Sequence, residues 1–276
     1  MRNQLDLIQS GEWDTLIVLD ACRADALQPI AKKYPWAGDK EIEVVRSPAA
    51  CTQIWIERLG KYFEGNLGRY FSANPVVERT AAKRKFTFRR WSIWEENWAR
   101  FSDQQIPSVH PMSVNGAVLQ EVPRSRRPTK DWTITPMRMV VHYLQPHSPY
   151  IGVPPLKMTQ WGHGNHPFSA ECSALPNPAE AVREKEITWP EVREAYMGNL
   201  ALVWEAVRVL VANLPGERIV ITSDHGEVLG EHGGLFGHEC SWLYDELFNV
   251  PWLELRGGPR GGQESVEKKL EALGYV

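Results

Sequence analysis

Three residues at the ends of apolar runs carry the side chains of a divalent-metal site. The run Thr15 to Leu19 (TLIVL) delivers Asp20, and the run Arg218 to Thr222 (RIVIT) leads through Ser223 to Asp224 and His225. Carboxylate oxygens suit hard and borderline cations, and imidazole suits zinc among others. Two carboxylates and one imidazole converging from neighbouring strand ends leave positions open for a nucleophile and a substrate oxygen. That is the layout of a catalytic rather than a structural metal. Gly226, beside His225, lets the backbone come close or take positive φ. Each residue also has a plain reading: an Asp after a buried strand often caps the next helix, and an Asp-His pair arises by chance.

The elements that must position these groups are readable around them. TLIVL and RIVIT are short, apolar and β-branched, and read as buried strands. Further strands are expected at Val44 to Arg46, Arg69 to Ser72, Met137 to Leu144 and Val250 to Leu255. Helices are expected from Thr52 to Tyr62, from Pro190 to about Asn213 and from Ser265 to Leu273. In the second of these, Leu200, Val203, Val207 and Leu210 share one face. Strands alternating with helices predict an α/β fold, a mostly parallel central sheet flanked by helices on both faces. Sites in such sheets lie at the C-terminal ends of the strands. Residues 76–135 are rich in Arg, Trp and Pro and read as a partly helical cover on one sheet edge. Residues 151–187, rich in Pro, Gly, His and Ser, read as a long functional loop. The whole chain, 1–276, reads as one domain, with these two stretches as insertions.

Several runs together resemble a known family. VITSDHGEVLGEHGGLFGHE (Val220 to Glu239) and LIVLDACRADAL (Leu16 to Leu27) are similar to the two metal motifs of sulfatases in the alkaline phosphatase superfamily. VHYLQPHSPY (Val141 to Tyr150) resembles their strand and His-x-Pro-Tyr segment. FNVPWLEL (Phe248 to Leu255) and the ending LEALGYV follow in the family's order. The nearest likeness is to compact sulfatase-like proteins of archaea. The resemblance implies an alkaline phosphatase-like fold with a reduced C-terminal subdomain, and a hydrolase of sulfate or phosphate esters. Asp20, Asp224 and His225 would be its metal ligands. One divalent cation (Ca, Mn, Zn or Mg) is implied, with a second as an alternative. His147 would contact the anion or protonate the leaving oxygen, and His238 would do the same or bind the second metal. Arg23 would steady the anion or pair with Asp25. His232 is open between site and loop, and His163 and His166 read as solvent-facing.

The nucleophile departs from the family pattern. Where sulfatases carry Cys-x-Pro-Ser-Arg, this chain has Cys51-Thr52-Gln53-Ile54-Trp55. The Pro and Arg that mark the Cys for oxidation to formylglycine are absent. Thr52, as an unmodified hydroxyl, and Cys51, as a thiolate, are the two candidates, with Thr52 favoured narrowly; Cys51 also reads as a small buried hydrophobe. Two alternatives stay open: a two-metal phosphodiesterase or phosphotransferase drawing on His147, His238 and Asp25, and a non-catalytic sulfatase-like binding protein.

Composition bounds the rest. The 276 residues are 43% hydrophobic and 24% charged, with a net charge of −3, an ordinary globular balance. No general pull on nucleic acid is expected; the basic group Lys83, Lys85, Arg84, Arg89 and Arg90 reads as a solvated face. No apolar stretch is read as a membrane span, and the polar N-terminus suggests a cytoplasmic protein. Four cysteines with no CxxC pair suggest neither a disulfide framework nor a thiolate zinc site. The expected partner is a small-molecule or saccharide sulfate or phosphate ester, since the 12 tryptophans suit sugar rings.

Overall fold

The computed structural model describes residues 1–125, 138–159, 175–214 and 218–257. The expected terminal helix, the ending LEALGYV, His163 and His166 lie outside the described residues. In chain order the strands are β1 (Thr15–Asp20), β2 (Glu43–Arg46), β3 (Arg69–Ser72), β4 (Arg90–Ser92), β5 (Trp98–Phe101), β6 (Ile106–Val109), β7 (Met139–Pro146), β8 (Arg218–Thr222), β9 (Val228–Leu229), β10 (Phe236–Gly237) and β11 (Asn249–Arg256). The helices used below are α1 (Gln4–Ser10), α2 (Ala24–Lys33), α3 (Thr52–Asn66), α4 (Pro75–Arg84), α5 (Ile93–Glu96), α6 (Pro111–Ser125), α7 (Pro178–Arg183) and α8 (Trp189–Ala212).

Seven strands form one sheet in the order β2-β11-β8-β1-β7-β3-β4. β8, β1, β7, β3 and β4 run parallel, and β11 is antiparallel to both of its neighbours. β1 sits at the centre and is buried along its whole length, which is why TLIVL is uninterrupted by polar groups. Its residues alternate between two cores. Ile17 and Leu19 join Val141, Ile221, Leu200 and Val207 on one face, whereas Leu16 and Val18 join Val140, Val220, Trp55 and Leu59 on the other. Each fully buried aliphatic side chain contributes about 1.5–3 kcal/mol, so the sheet is held from both sides. The mostly parallel, doubly covered α/β architecture is as read from the sequence.

Two differences from the sequence reading have physical causes. The described part of the 76–135 stretch, up to residue 125, is partly helical as read and also carries strands. It contains α4, the edge strand β4, the short α5, the β5–β6 hairpin and the 15-residue α6. The tryptophans that blur the period (Trp91, Trp94 and Trp98) are partly buried against the rim of the larger core. Among the described residues, α8, 24 residues long, meets the length and apolarity of a membrane-crossing helix, contrary to the expectation that no stretch does. Its apolar face lies on the sheet, with Leu200, Val203, Val207 and Leu210 fully buried.

One polar residue of α8 organises the turn that follows β7. Asn199 is fully buried. Its Nδ2 donates to the carbonyls of Pro146, His147 and Pro149 at 3.3, 3.0 and 3.2 Å. Its Oδ1 accepts from the amides of Ile151 and Gly152 at 2.8 and 2.9 Å. Buried backbone polar groups have to find partners, and here one side chain supplies five. Asn199→Asp keeps the shape and the acceptor but places a carboxylate against three carbonyls. It should cost about 3 kcal/mol and lower Tm by on the order of 10 °C in a thermal melt; an unchanged Tm would show that the turn is held by other contacts.

Candidate metal centre

The site lies at the C-terminal tips of β1, β7 and β8 and the N-terminal ends of α3 and α4. β1 slips register between Leu19 and Asp20, so that Leu19 pairs with Tyr143 and Asp20 with Pro146. Such a slip re-aims a side chain. The next residue, Ala21, takes φ 59°, and its amide donates to Asp224 Oδ1 at 3.3 Å. After β8 the chain passes through Ser223 to Asp224 and His225. A Cβ on Gly226 would stand 1.9 Å from the Glu246 carbonyl oxygen. Glycine is therefore required there for close approach of two backbones, the first of the two roles expected for it. Thr52 is the first residue of α3, and Asn74 is the N-cap of α4.

The side chains converge. Thr52 Oγ donates to Asp224 Oδ2 at 2.7 Å and lies 3.2 Å from His225 Nε2. Asn74 Nδ2 donates to Thr52 Oγ at 3.2 Å and also to Asp20 Oδ2. His225 Nε2 is 3.6 Å from Asp20 Oδ1 and 3.4 Å from Asp224 Oδ2. His225 Nδ1 lies 2.8 Å from the Gly226 carbonyl, an acceptor that keeps the proton on Nδ1 and leaves Nε2 a lone pair facing the carboxylates. Beneath them, on β7, His142 Nε2 stands 3.6 Å from Asp224 Oδ2. Asp20, His142 and Asp224 present ligand atoms within 4.8 Å of one another.

A second trio adjoins the first. His147, Glu227 and His238 also bring ligand atoms within 4.8 Å of one another. His238 Nδ1 is 2.9 Å from Glu227 Oε1. The His238 ring lies 5.1 Å from that of His147 and 4.1 Å from that of His225, centroid to centroid. A cleft of about 310 Å³ is lined by His147 and His238 of the second trio and by Thr52 and Asn74, which hydrogen-bond the carboxylates of the first.

The charges fit a cation. Asp20, Asp224 and Glu227 have no exposed surface. Burial, then the neighbouring charge of Asp224, pushes the Asp20 carboxyl well above its ordinary range, and burial lifts Glu227 to about 7. Burial also lowers His142, His147, His225 and His238 to about 4, so all four are neutral at pH 7, the form that ligates metal. Asp20 Oδ1, Glu227 Oε2 and His142 Nε2 are buried with no hydrogen-bond partner. Uncompensated buried carboxylates are costly, and a divalent cation held by Asp20, Asp224 and His225 would offset that cost.

The structure brings Asp20, Asp224, His225, Thr52, His147 and His238 together and leaves other candidates out. Cys51 is not a thiolate: it forms a single disulfide with Cys240, a pairing that the sequence reading did not propose. Of the two roles read for Arg23, the pair with Asp25 is the one that forms. Arg23 donates to Asp25 at 3.0 and 2.7 Å, to Glu231 at 2.8 Å and to the Glu227 carbonyl at 3.2 Å, tying the start of α2 to the loop after Glu227. Asp25, held in that pair with its side chain 68% exposed, is not a ligand of the second trio. Its place there is taken by Glu227. His232 stacks on Tyr244 at 3.8 Å and meets Glu246 at 3.1 Å, outside the cleft. Sequence reasoning missed Glu227, Asn74 and His142. Each had a signal: the acid two residues after His225, the Asn-Pro helix start, and a lone histidine inside an apolar strand.

No family model matches the chain, and no curated protein matches its sequence. Solved structures do match. The integral membrane lipooligosaccharide phosphoethanolamine transferase A from Neisseria meningitidis aligns at TM-score 0.56 and 12% identity over 89% of this chain, which spans 47% of that one. The soluble domain of the same transferase aligns at TM-score 0.56 and 13% identity, over 89% of this chain and 76% of that one. BT1596, a 2-O GAG sulfatase, aligns at 0.52 and 14%, over 89% and 64%. The C-terminal periplasmic domain of EcEptC from Escherichia coli, in complex with zinc, aligns at 0.50 and 13%, over 90% and 74%. The fold is thus the alkaline phosphatase-like fold of sulfatases and phosphoethanolamine transferases.

Two outcomes follow from this geometry. The disulfide closes a span of 189 residues, and its reduction, or Cys240→Ser, should lower stability by about 2–4 kcal/mol; equal melting curves with and without reductant would show that the bond adds nothing. In metal-free protein the four site histidines are held to about 4 against an ordinary 6.5. Between those values the unfolded chain binds more protons, so these groups make stability fall as pH falls from about 6.5 towards 4. Asp20 and Glu227, raised by burial, act in the opposite sense: their contribution is full at low pH and, for Glu227, is lost as pH rises through about 7. With four groups against two, Tm of the chelator-treated protein should be lower at pH 5 than at pH 7; a higher Tm at pH 5 would mean that the carboxylates dominate.

Proposed function

We propose that this chain is a metal-dependent enzyme that cleaves phosphate esters through a covalent phosphothreonine at Thr52. The observation that carries the reading is the setting of Thr52 Oγ, 2.7 Å from Asp224 Oδ2, 3.2 Å from His225 Nε2 and 3.2 Å from Asn74 Nδ2. Phosphate is favoured over sulfate because the residue at the formylglycine position, Cys51, is committed to a disulfide. The similar structures, among them transferases and a sulfatase, are compatible with ester chemistry on this fold, and the zinc complex of one of them supports a divalent metal here.

Asp20, Asp224 and His225 would hold the cation, and mixed carboxylate and imidazole donors favour zinc or manganese over calcium. When bound, the cation would polarise a substrate oxygen and lower the pKa of the nucleophile. The remaining work falls to the chain. The Thr52 hydroxyl gives its proton to Asp224 Oδ2, with which it is already hydrogen-bonded, and its oxygen bonds to phosphorus. Asn74 keeps that oxygen aimed, because its own Oδ1 is occupied by the Val76 amide at 2.8 Å, which leaves Nδ2 for the site. His147 and His238, which line the cleft and are neutral at pH 7, would donate a hydrogen bond to the leaving oxygen, which takes its proton from water. Water then cleaves the threonine ester, and phosphate or its monoester is released.

A second reading rests on Glu227. With His147 and His238 it forms a second complete trio, which would hold a second cation in a two-metal phosphodiesterase or phosphotransferase. In the phosphotransferase case the acceptor would be an alcohol rather than water.

The deciding experiment uses nitrophenyl phosphate, phosphodiester and sulfate esters with zinc or manganese, with and without an added alcohol acceptor. Turnover should require metal and prefer phosphorus esters. Thr52→Ala should lower kcat by on the order of 10³-fold or more, and Asp224→Ala should lose metal and activity together. Metal binding without turnover on any ester would overturn the enzyme reading in favour of a binding protein. Phosphoryl transfer to the alcohol with about two bound metals would favour the second reading.

A further inference from the structure

His142 groups with Asp20 and Asp224, yet no role has been given to it so far. It lies on β7, opposite Val18 of β1, with no exposed surface. The rings of Trp55 and Tyr70 enclose it at 6.2 and 6.0 Å between centroids. Its two nitrogens face different groups. Nδ1 is 2.8 Å from the Tyr70 hydroxyl. Nε2 is buried with no hydrogen-bond partner and stands 3.6 Å from Asp224 Oδ2, the oxygen that also receives the Thr52 hydroxyl. An imidazole in an otherwise apolar strand, beneath two buried carboxylates, calls for an explanation on polar grounds.

We infer that His142 is a positioning residue for Asp224, and that Tyr70 sets the tautomer that lets it act. The logic is a matter of proton count. Tyr70 is fully buried, and burial holds its phenol well above its ordinary range, so it keeps its proton. Among the described residues that hydroxyl meets no acceptor other than His142 Nδ1, so it donates there. A neutral imidazole whose Nδ1 accepts must carry its single proton on Nε2, which points that N–H at Asp224 Oδ2. The gap of 3.6 Å exceeds a hydrogen bond, and a movement of about half an ångström closes it. The chain Tyr70–His142–Asp224 then orients the carboxylate that the cation and Thr52 share, as outer partners orient ligands in metal sites generally. A lone pair on Nε2, making His142 a ligand itself, would require a proton on Nδ1 and would leave the Tyr70 hydroxyl hydrogen without an acceptor.

This inference rests on the metal reading of Asp20, Asp224 and His225, and its test separates the two. Zinc affinity of the stripped protein is measured by competition with a chromophoric chelator for wild type, Asp224→Ala, Tyr70→Phe, His142→Leu and His142→Gln. Tyr70→Phe removes one oxygen from a filled position and keeps the fold; circular dichroism checks the histidine variants. Tyr70→Phe and His142→Leu should each weaken zinc by about 10- to 100-fold. His142→Gln, which restores an N–H near the position of Nε2, should recover most of that loss. If wild type binds zinc, Asp224→Ala does not, and both Tyr70→Phe and His142→Leu bind as wild type does, the inference falls and the metal site stands. If His142→Gln is as weak as His142→Leu, the histidine is a ligand and the positioning role is wrong. If wild type takes up no zinc, the metal reading itself falls and the inference with it.

Discussion

Three carboxylates removed from water at the tips of one sheet are the constraint around which the rest of this molecule is arranged. Asp20, Asp224 and Glu227 have no exposed surface, and isolated charges so placed are unfavourable unless a partner of opposite sign is present. Among the described residues, no such partner stands in the cleft itself. Arg23, the nearby cation, spends its donors on Asp25, Glu231 and the Glu227 carbonyl. The neighbours are instead neutral donors and lone pairs: the Thr52 hydroxyl, the Asn74 amide and histidines kept uncharged by burial. Such a site is incomplete in its charge and complete in its geometry.

The scaffold that tolerates this is the doubly covered sheet. β1 and β8 are apolar to their last residues because helices press on both faces, so the first polar side chains appear where the strands emerge. The register slip at Leu19, the contact of Gly226 with the Glu246 carbonyl and the five hydrogen bonds of Asn199 then fix three successive turns. None of the three contributes to chemistry directly. Each fixes the backbone from which Asp20, His225 or His147 projects.

This division of labour also explains what the sequence disclosed. The sheet was legible because burial on both faces leaves uninterrupted apolar runs, and Asp20, Asp224 and His225 were legible because they interrupt those runs at their ends. Glu227, Asn74 and His142 were not. Their roles depend on which turns face one another, and local spacing carries no record of that. Asn74 reads as an ordinary helix cap because it is one; only the fold shows that capping leaves its Nδ2 aimed at Thr52. Arg23 was legible in part, since its pairing with Asp25 was one of its two readings, whereas Asp25 also looked like a ligand because it is a carboxylate beside a motif. Cys51 and Cys240 are 189 residues apart, and no spacing rule joins them.

The disulfide also decides how the cleft can accommodate bulk. Cys51 and Cys240 both line it, beside Thr52 and Gln53 on one wall and His238 and Glu239 on another. The disulfide ties that side of the cleft covalently, whereas Val76 and Asn177 on the lining carry no such tie. On the proposed function, a bound group extending over the starts of α4 and α7 would meet walls held by non-covalent packing, while one extending towards Gln53 and Glu239 would meet the disulfide-tied seam.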